Sequence, residues 1–184
     1  MAMTSIQIHH VQMDEDLFYH WDDLRTPATN LPSGGADRDS DGALLFATGS
    51  TENTYAILQT PHTWLEGSSI RPHVHWSKTS DAAGDVVWQL RYRFFNIDDV
   101  IPDWSGYLDI DDREGTLSSD QRMYIDFFPL ISMSNRTFSE MMSFHIRRKH
   151  DDADDDYGAD AKLWEFDVHY QADTPGSIEE VRKE

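Results

Sequence analysis

The chain has 184 residues, 39% of them hydrophobic and 12% aromatic, which is enough to bury the core of one domain. Its 34 acidic and 15 basic residues give a formal net charge of −19. Phosphate and anionic lipid attract clustered Lys and Arg, so this balance disfavours binding to nucleic acid or to a membrane surface. The chain contains no cysteine, which excludes disulfides and thiolate metal sites.

Residues 1–42 show the weakest pattern. The opening MAMTSIQIHHVQMDEDL has no basic region followed by an apolar core, so we expect no secretory signal. No apolar run approaches the roughly 18 residues that a membrane helix needs. Alternation around Ser5–Val11 predicts an opening strand, and residues 19–42 read as a long irregular connection, so we expect an N-terminal strand and arm over 1–42.

Alternation with a period of two dominates the rest of the chain, which is typical of strands with one buried face. Strands are predicted in these segments: 43–48, 53–59, 70–77, 86–94, 122–130, 140–149 and 163–171. Gly, Pro, Asn and Asp turns separate them, residues 97–121 form a long loop, and no segment of twelve or more residues has a helical period. The sequence therefore predicts a single all-β domain over 1–184, an antiparallel β-sandwich of jelly-roll type with long irregular loops.

Residues 70–94 are predicted to form a hairpin, because the turn-forming stretch TSDAAG separates two alternating segments. If the two strands of the hairpin are offset by an even number of residues, their apolar side chains lie on the same side of the hairpin, so Trp76 should lie near Trp88. The polar face of the hairpin would then collect a group of cationic side chains, which we predict as a protein-contact surface: Arg71, His73, His75, Arg91 and Arg93.

The stretch GSSIRPHVHW (67–76) places His73 and His75 two residues apart, so their rings point to the same side of a strand and both could reach one metal ion. The spacing Gly67-x5-His73-x-His75 resembles the opening of the first cupin motif, which implies a metal-dependent enzyme. In that motif a Glu follows the second His after three or four residues. This chain has Thr79 and Ser80 there, and its sequence contains no second cupin motif.

Ion pairing is the interpretation we favour for the histidine pair. Many cations on one face are unfavourable unless carboxylates lie near. Glu165 and Asp167 occupy the polar face of the predicted strand 163–171, whose apolar face includes Trp164. Pairing with that strand, or with a neighbouring subunit, would set register or partner choice more than stability, since exposed pairs contribute only about 0–1 kcal/mol each. The sequence also has no nucleophile elbow and no Walker-type loop, so we expect no enzymatic activity.

Two acidic segments are candidates for cation binding. Asp37, Asp39 and Asp41 in ADRDSDG reproduce the first half of a calcium loop, in which alternate carboxylates surround a hard cation. An EF-hand would need Glu at its twelfth position, where this chain has Thr48. A solvated Asp-rich turn is therefore the main interpretation, with Ca²⁺ at these three residues as the alternative and no other cofactor expected. The run DDADDDYGAD (151–160) is interpreted mainly as a solvated loop, and the alternatives are loose binding of divalent cations or docking on the basic hairpin face of a neighbouring subunit.

Four segments together resemble a family of uncharacterised proteins encoded by tailed phages and prophages: YHWDDLRTPAT, DGALLF, PHTWLEGSSIRPHVHWSKT…AGDVVWQLRYRF and DDYGADAKLWEFDVHYQAD. The resemblance spans nearly the whole chain, and the central and C-terminal segments are its most specific parts. It implies a virion-associated or late-gene product without a defined activity, and it supplies no catalytic residues.

By analogy between folds, the resemblance implies a capsid decoration (cement) protein. We expect a homo-oligomer, with a trimer favoured, that is made in the host cytoplasm and binds the phage major capsid protein on the virion surface. It would stabilise the head through protein–protein contacts, with the 97–121 loop as an arm. The alternatives are a tail or fibre module that binds host glycan through exposed Trp21, Trp64 and Trp104, and a cupin-like metal-dependent enzyme.

Overall fold

The structure, a computed structural model, describes residues 13–20, 42–110 and 122–173, the first of these ranges for its backbone alone. These residues form the following strands: β1 (Met13–His20), β2 (Leu44–Phe46), β3 (Asn53–Gln59), β4 (Arg71–Lys78), β5 (Trp88–Phe95), β6 (Leu108–Asp109), β7 (Met123–Phe127), β8 (Met141–Arg148) and β9 (Ala161–Ala172). The described part of the chain contains no helix, and so none that could cross a membrane.

The strands form two antiparallel sheets. Sheet A has the order β1-β9-β4-β7, with the short β2 pairing a separate part of the β9 edge. Sheet B has the order β3-β8-β5-β6. With β2 set aside, both orders are those of a jelly roll, in which neighbouring strands come from distant parts of the chain. The prediction of an all-β, antiparallel, jelly-roll-like sandwich is confirmed.

One hydrophobic core lies between the inner faces of the two sheets. The alternation predicted these inner faces correctly, and Trp76 of β4 and Trp88 of β5 are fully buried. Their ring centroids lie 6.2 Å apart, and Phe144 of β8 meets Phe166 of β9 at 5.2 Å. Aromatic pairs at this spacing contribute stability beyond their buried area, so ring contacts across the core join the two sheets.

The predicted hairpin over residues 70–94 is wrong. β4 pairs with β9 and β7 in sheet A, whereas β5 pairs with β8 and β6 in sheet B. Trp76 does lie near Trp88, but the contact crosses the core and does not run along a strand pair. The physical reason is that alternation shows which side of a strand is buried and leaves open which strand is its neighbour.

The chain crosses from sheet A to sheet B past Gly84. Its φ is +133°, and an added Cβ would lie 2.6 Å from the Cα of Tyr157. Only glycine tolerates both the backbone conformation and this close approach. The carbonyl of Gly84 accepts a hydrogen bond of 2.6 Å from Nζ of the buried Lys78, which fixes the start of the crossover against the end of β4.

Two predictions for tryptophan side chains are corrected by the structure. Trp64 is fully buried and bridges to Ala172, so it does not form an exposed surface. The pairing of β4 with β9 shifts between His75 and Trp76, and this β-bulge makes Trp164 the extra residue, while Leu163 fills the core position.

The N-terminal predictions fall mostly outside the described residues. These include the strand around Ser5–Val11, Trp21, and the candidate Ca²⁺ ligands Asp37, Asp39 and Asp41. The strand β1 was not predicted. Its pairing with β9 places it at an edge of sheet A, where weak alternation in the sequence is compatible with strand structure.

The acidic segment 151–160 is solvated only in part: Asp151, Asp154 and Asp156 are exposed, as predicted, whereas the side chain of Asp155 is enclosed. Arg148 and Asp155 form an ion pair whose side chains are 0% and 1% exposed. Two further guanidinium N–H groups of Arg148 donate to the carbonyls of Ala159 and Tyr157, at 2.7 and 2.6 Å. Asp155 also accepts from the backbone N–H of Val87. A buried pair needs such additional hydrogen bonds to offset its desolvation, and here they tie the segment to β8 and to the residue just before β5, both in sheet B.

Candidate functional site

The predicted contact residues are divided between the two outer faces of the sandwich. Arg71, His73 and His75 belong to β4 and lie on the outer face of sheet A. Arg91 and Arg93 belong to β5 and lie on the outer face of sheet B. The prediction of one shared polar face is therefore wrong, because it depended on the hairpin. A role of these residues in protein contact stays a prediction.

On sheet A, the residue Asp167 joins the two histidines. In the register of β4 with β9, His73 lies directly opposite Asp167 and His75 opposite Glu165. Opposed residues of antiparallel strands point to the same side, with Cβ atoms about 4.5–5.5 Å apart. Three side chains from two central strands therefore converge. We call His73, His75 and Asp167 the His–Asp cluster.

Three atoms of the His–Asp cluster are in mutual contact. The Nε2 atoms of His75 and His73 lie 2.8 and 3.2 Å from Oδ2 of Asp167, and they lie 3.0 Å from each other. The side chains of His73 and Asp167 are 3% and 9% exposed, whereas that of His75 is 21% exposed. The expected pairing of the histidine face with a carboxylate of residues 163–171 is confirmed. The cluster is open to solvent only on the His75 side.

Neighbouring rings hold the imidazole of His73 in place. The ring centroids of Phe127 on β7 and His169 on β9 lie 4.8 and 4.6 Å from that of His73. Arg71 places its guanidinium carbon 4.4 Å from the centroid of Phe127. This packing restricts the rotamer of His73, so the convergence with Asp167 is fixed before any ligand arrives.

Asp167 is ionised throughout the neutral pH range. Burial alone would raise its pKa, but hydrogen bonds from His73 and His75, and the charge of these rings when protonated, lower the pKa to about 2. The second carboxylate oxygen, Oδ1, and Nδ1 of His73 are buried and have no hydrogen-bond partner among the described residues. The cluster thus offers one carboxylate and two imidazole nitrogens.

A second cluster covers the outer face of sheet B. It consists of three arginines around four rings, and we call it the arginine–aromatic face: Arg91, Arg93, Arg147, Tyr55, Trp104, Tyr107 and His145. The guanidinium carbons of Arg93 and Arg91 lie 4.3 and 5.2 Å from the centroid of Trp104. That of Arg147 lies 3.8 Å from the centroid of Tyr107. Such cation–π contacts contribute about 0.5–2 kcal/mol each, depending on desolvation.

His145 lies buried at the centre of the arginine–aromatic face. Its Nδ1 accepts a hydrogen bond of 3.1 Å from Nε of Arg91, and the Tyr107 hydroxyl lies 3.3 Å from the same nitrogen. Burial, followed by the charges of Arg91 and Arg147, lowers the pKa of His145 to about 4. The ring is therefore neutral at pH 7, which lets Nδ1 accept the hydrogen bond from Arg91.

Arg91 and Arg147 form their hydrogen bonds with neutral side chains. Arg147 donates two hydrogen bonds to the side-chain oxygen of Gln89, at 2.8 and 2.6 Å. Among the described residues, no carboxylate lies within ion-pairing distance of Arg91, Arg93 or Arg147. Nε of Arg93 is buried and has no hydrogen-bond partner in the described part of the chain. The result is a positive patch on a chain whose net charge is −19.

The loop between β5 and β6 continues the arginine–aromatic face with apolar side chains. The backbone N–H of Ser105 donates to the carbonyl of Tyr92 at 2.8 Å, which holds this loop against β5. Before that anchor, Ile97, Val100 and Ile101 are 69%, 93% and 54% exposed. Residues 97–110 are thus the described part of the predicted arm, and they present apolar groups to solvent beside a cationic face.

Sequence reasoning found some members of each cluster and missed others. Asp167 was named as an ion-pair partner but not as a third metal ligand, since the pairing of β4 with β9 could not be read from the pattern. His145 and Arg147 were overlooked, although they alternate on the polar side of the predicted strand 140–149. That alternation was the available signal, and the members Trp104 and Tyr107 lie in the loop before β6, where no local pattern places them beside β8.

No family model matches the chain, and neither does any curated protein. Among solved structures, dimeric latent PorU from Porphyromonas gingivalis is similar with a TM-score of 0.41 and 11% identity, over 94% of this chain and 14% of PorU. A family two carbohydrate esterase from Cellvibrio japonicus has a TM-score of 0.36 and 8% identity, over 90% of this chain and 37% of the esterase. TmCBM61 in complex with beta-1,4-galactotriose has a TM-score of 0.33 and 8% identity, over 86% of this chain and 88% of that chain. This chain therefore spans a minor part of the first two proteins, and similarity at this level carries no argument about activity.

Proposed function

We propose that this protein is a structural binding protein of a tailed-phage virion, which acts through protein–protein contacts and performs no chemistry. The observation that carries the proposal is the arginine–aromatic face. Arg, Tyr and Trp are the side chains most enriched at the energetic centres of protein interfaces. These residues assemble without an ion pair to any described carboxylate, next to a loop with exposed apolar side chains, which is the composition expected of a surface that a partner covers.

Charge complementarity indicates the kind of partner. The three arginines of the face are local cations on a chain with a net charge of −19, so an acidic protein surface is the complementary partner. A second copy of this chain is one such surface. The resemblance to phage proteins and the jelly-roll fold support the more specific proposal of a homo-oligomeric decoration protein, with a trimer favoured, that docks on the major capsid protein. The step from fold to decoration rests on analogy.

The test compares binding to purified heads and purified tails of a tailed phage that encodes this chain. Tag-free protein is mixed with each particle and sedimented, and its oligomeric state is measured by light scattering. We expect an oligomer that sediments with heads. The double variant Arg91→Ala/Arg93→Ala should bind heads about tenfold more weakly or worse, since central interface arginines often contribute about 2 kcal/mol or more.

Arg122→Ala is the matched control, because Arg122 is an exposed arginine just before β7 in the other sheet. It should leave head binding unchanged. Binding to tails or to host glycan alone would support the fibre alternative and contradict the decoration proposal. Unchanged head binding by a folded double variant would show that the arginine–aromatic face is not the contact surface. If the protein bound glycan through Trp104, the guanidinium of Arg93 would have to leave the face of the Trp104 ring so that a sugar could stack there.

A further inference from the structure

We infer that His73, His75 and Asp167 bind one divalent first-row transition-metal ion. The inference concerns the opposite face of the sandwich from the arginine–aromatic face and does not depend on the proposed function. It concerns binding only, and no reaction is assigned to the ion.

The first argument is that Nε2 of His73, Nε2 of His75 and Oδ2 of Asp167 all lie within 3.2 Å of one another. Each imidazole Nε2 has in its ring plane either one proton or one lone pair. If both Nε2 atoms carry protons and donate to Oδ2 of Asp167, two N–H groups face each other at 3.0 Å. If one Nε2 donates to the other, the acceptor nitrogen turns its lone pair toward a carboxylate oxygen. Both of these arrangements leave one repulsive contact among the three atoms.

A cation at the centre of the three atoms removes this conflict, because it accepts all three lone pairs. Nitrogen and oxygen ligands lie about 2.0–2.2 Å from Zn²⁺ and its neighbours in the first transition row, so ligands at right angles around such an ion are about 3 Å apart. The three separations in the cluster are 2.8, 3.0 and 3.2 Å. They match one face of an octahedron, which is the arrangement of two histidines and one carboxylate around a metal with open positions.

The donor set selects the class of metal. Ca²⁺ takes six to eight oxygen ligands, and Mg²⁺ likewise prefers oxygen. Two imidazoles with one carboxylate suit Zn²⁺, Fe²⁺, Co²⁺ or Ni²⁺. This site is thus distinct in chemistry from the Asp37, Asp39 and Asp41 segment, for which Ca²⁺ was the candidate.

The surroundings of the cluster fit a preorganised site with an entry path. Phe127 and His169 pack against the His73 ring, and His73 and Asp167 are the buried members. His75 is the more exposed ligand, so an ion can arrive from that side. Binding would join β4 to β9, the two central strands of sheet A, and should stabilise the fold by an amount that rises with the logarithm of the free metal concentration above Kd.

The test uses tag-free, full-length protein stripped with a chelator and then dialysed. Co²⁺ is added and followed by visible absorption, and Zn²⁺ is titrated by calorimetry. We expect one ion per chain and a higher melting temperature with Zn²⁺. Loss of a residue that only hydrogen-bonds to a metal ligand lowers metal affinity about 10–100-fold. Because His75→Ala removes a ligand itself, it should lower the affinity by at least about 100-fold and abolish the rise in melting temperature.

Asp167→Asn is the second variant, because it keeps the shape of the side chain and removes the charge that attracts the metal. His62→Ala is the control, since it removes an imidazole that bonds Ser139 elsewhere in the protein. It should bind like the wild type. The inference is overturned if stripped wild-type protein binds no stoichiometric Co²⁺ or Zn²⁺. It is equally overturned if folded His75→Ala and Asp167→Asn both retain wild-type affinity.

Discussion

At position 145 a histidine lies buried between arginines and stays neutral. Burial and the charges of Arg91 and Arg147 hold its pKa near 4, below the ordinary value of 6.5. Between these two pH values the unfolded chain binds more protons than the folded chain. By linkage, the free energy of unfolding therefore falls as the pH drops through this window. The contribution of the neutral His145 ring to that free energy is fully present above pH 6.5.

His145→Gln should reduce this pH dependence, because the variant has no imidazole to protonate on unfolding. The free energy of unfolding, measured in urea at about pH 7 and about pH 4.5, should fall less in the variant than in the wild type. His150→Gln is the control, since His150 is a half-buried histidine just beyond the end of the same strand. If the wild type and both variants lose equal stability over this range, His145 is not buried as a neutral ring.

The residue pattern predicted the polar side of each strand and could not assemble the clusters. His73 and His75 share a side because they are two apart on a strand, and that much is a local property. Their contact with Asp167 joins residues more than ninety positions apart in the chain. It exists because β4 pairs with β9 in the register that opposes His73 to Asp167.

At the scale of elements, the connection between β8 and β9 depends on one buried ion pair. Asp155 contacts Arg148 with both carboxylate oxygens, at 2.9 and 2.7 Å. The run of five aspartates in residues 151–156 predicted repulsion and solvation. The structure differs because the two members of this pair are enclosed, and because backbone carbonyls complete the hydrogen bonds of the guanidinium.

Arg148→Met should destabilise the protein by about 3–5 kcal/mol, because it leaves the carboxylate of Asp155 buried without its partner. Lys149→Met removes the adjacent cation, whose pair with Asp152 is partly exposed, so it should change the stability little. Urea denaturation of both variants at neutral pH measures the difference. Equal losses for the two variants would mean that the Arg148–Asp155 pair is solvated in solution.

The bounds of most strands could be read from the sequence, and their partners could not. The segment 53–59 agrees in both bounds with β3, and 140–149 contains β8. The two failures have a common cause. Turn-like residues between Lys78 and Val86 look the same whether the chain reverses within one sheet or crosses to the other. Likewise, the bulge at Trp164 depends on the pairing of β9 with β4, which is not a local property.

At the scale of the whole molecule, both sheets share one core and should unfold together. Phe144 on β8 and Phe166 on β9 are fully buried and in ring contact across the sandwich. A defect on one sheet therefore removes packing from the other, since protein interiors are close-packed.

Phe144→Ala should lower the free energy of unfolding by about 3–5 kcal/mol, as expected for a large buried ring replaced by a methyl group. Tryptophan fluorescence and far-UV circular dichroism should report the same lowered midpoint, because unfolding involves both sheets at once. Ile125→Ala on the outer face of β7, where Ile125 is 45% exposed, should have a small effect. Separate midpoints for the two probes would show that the sheets unfold independently.

The amino-acid sequence by itself determined the class of fold, the buried side of most strands and the acidic character of the molecule. These follow from local periodicity and composition, which act on each segment alone. Only the tertiary structure decided which strands are neighbours. That choice placed Arg71 and the histidines on one outer face and Arg91 and Arg93 on the other, and it brought Asp167 to the histidine pair. Strand pairing depends on the free energy of the whole chain, to which contacts between distant segments contribute. The alternation within one segment does not show which other segment is its neighbour.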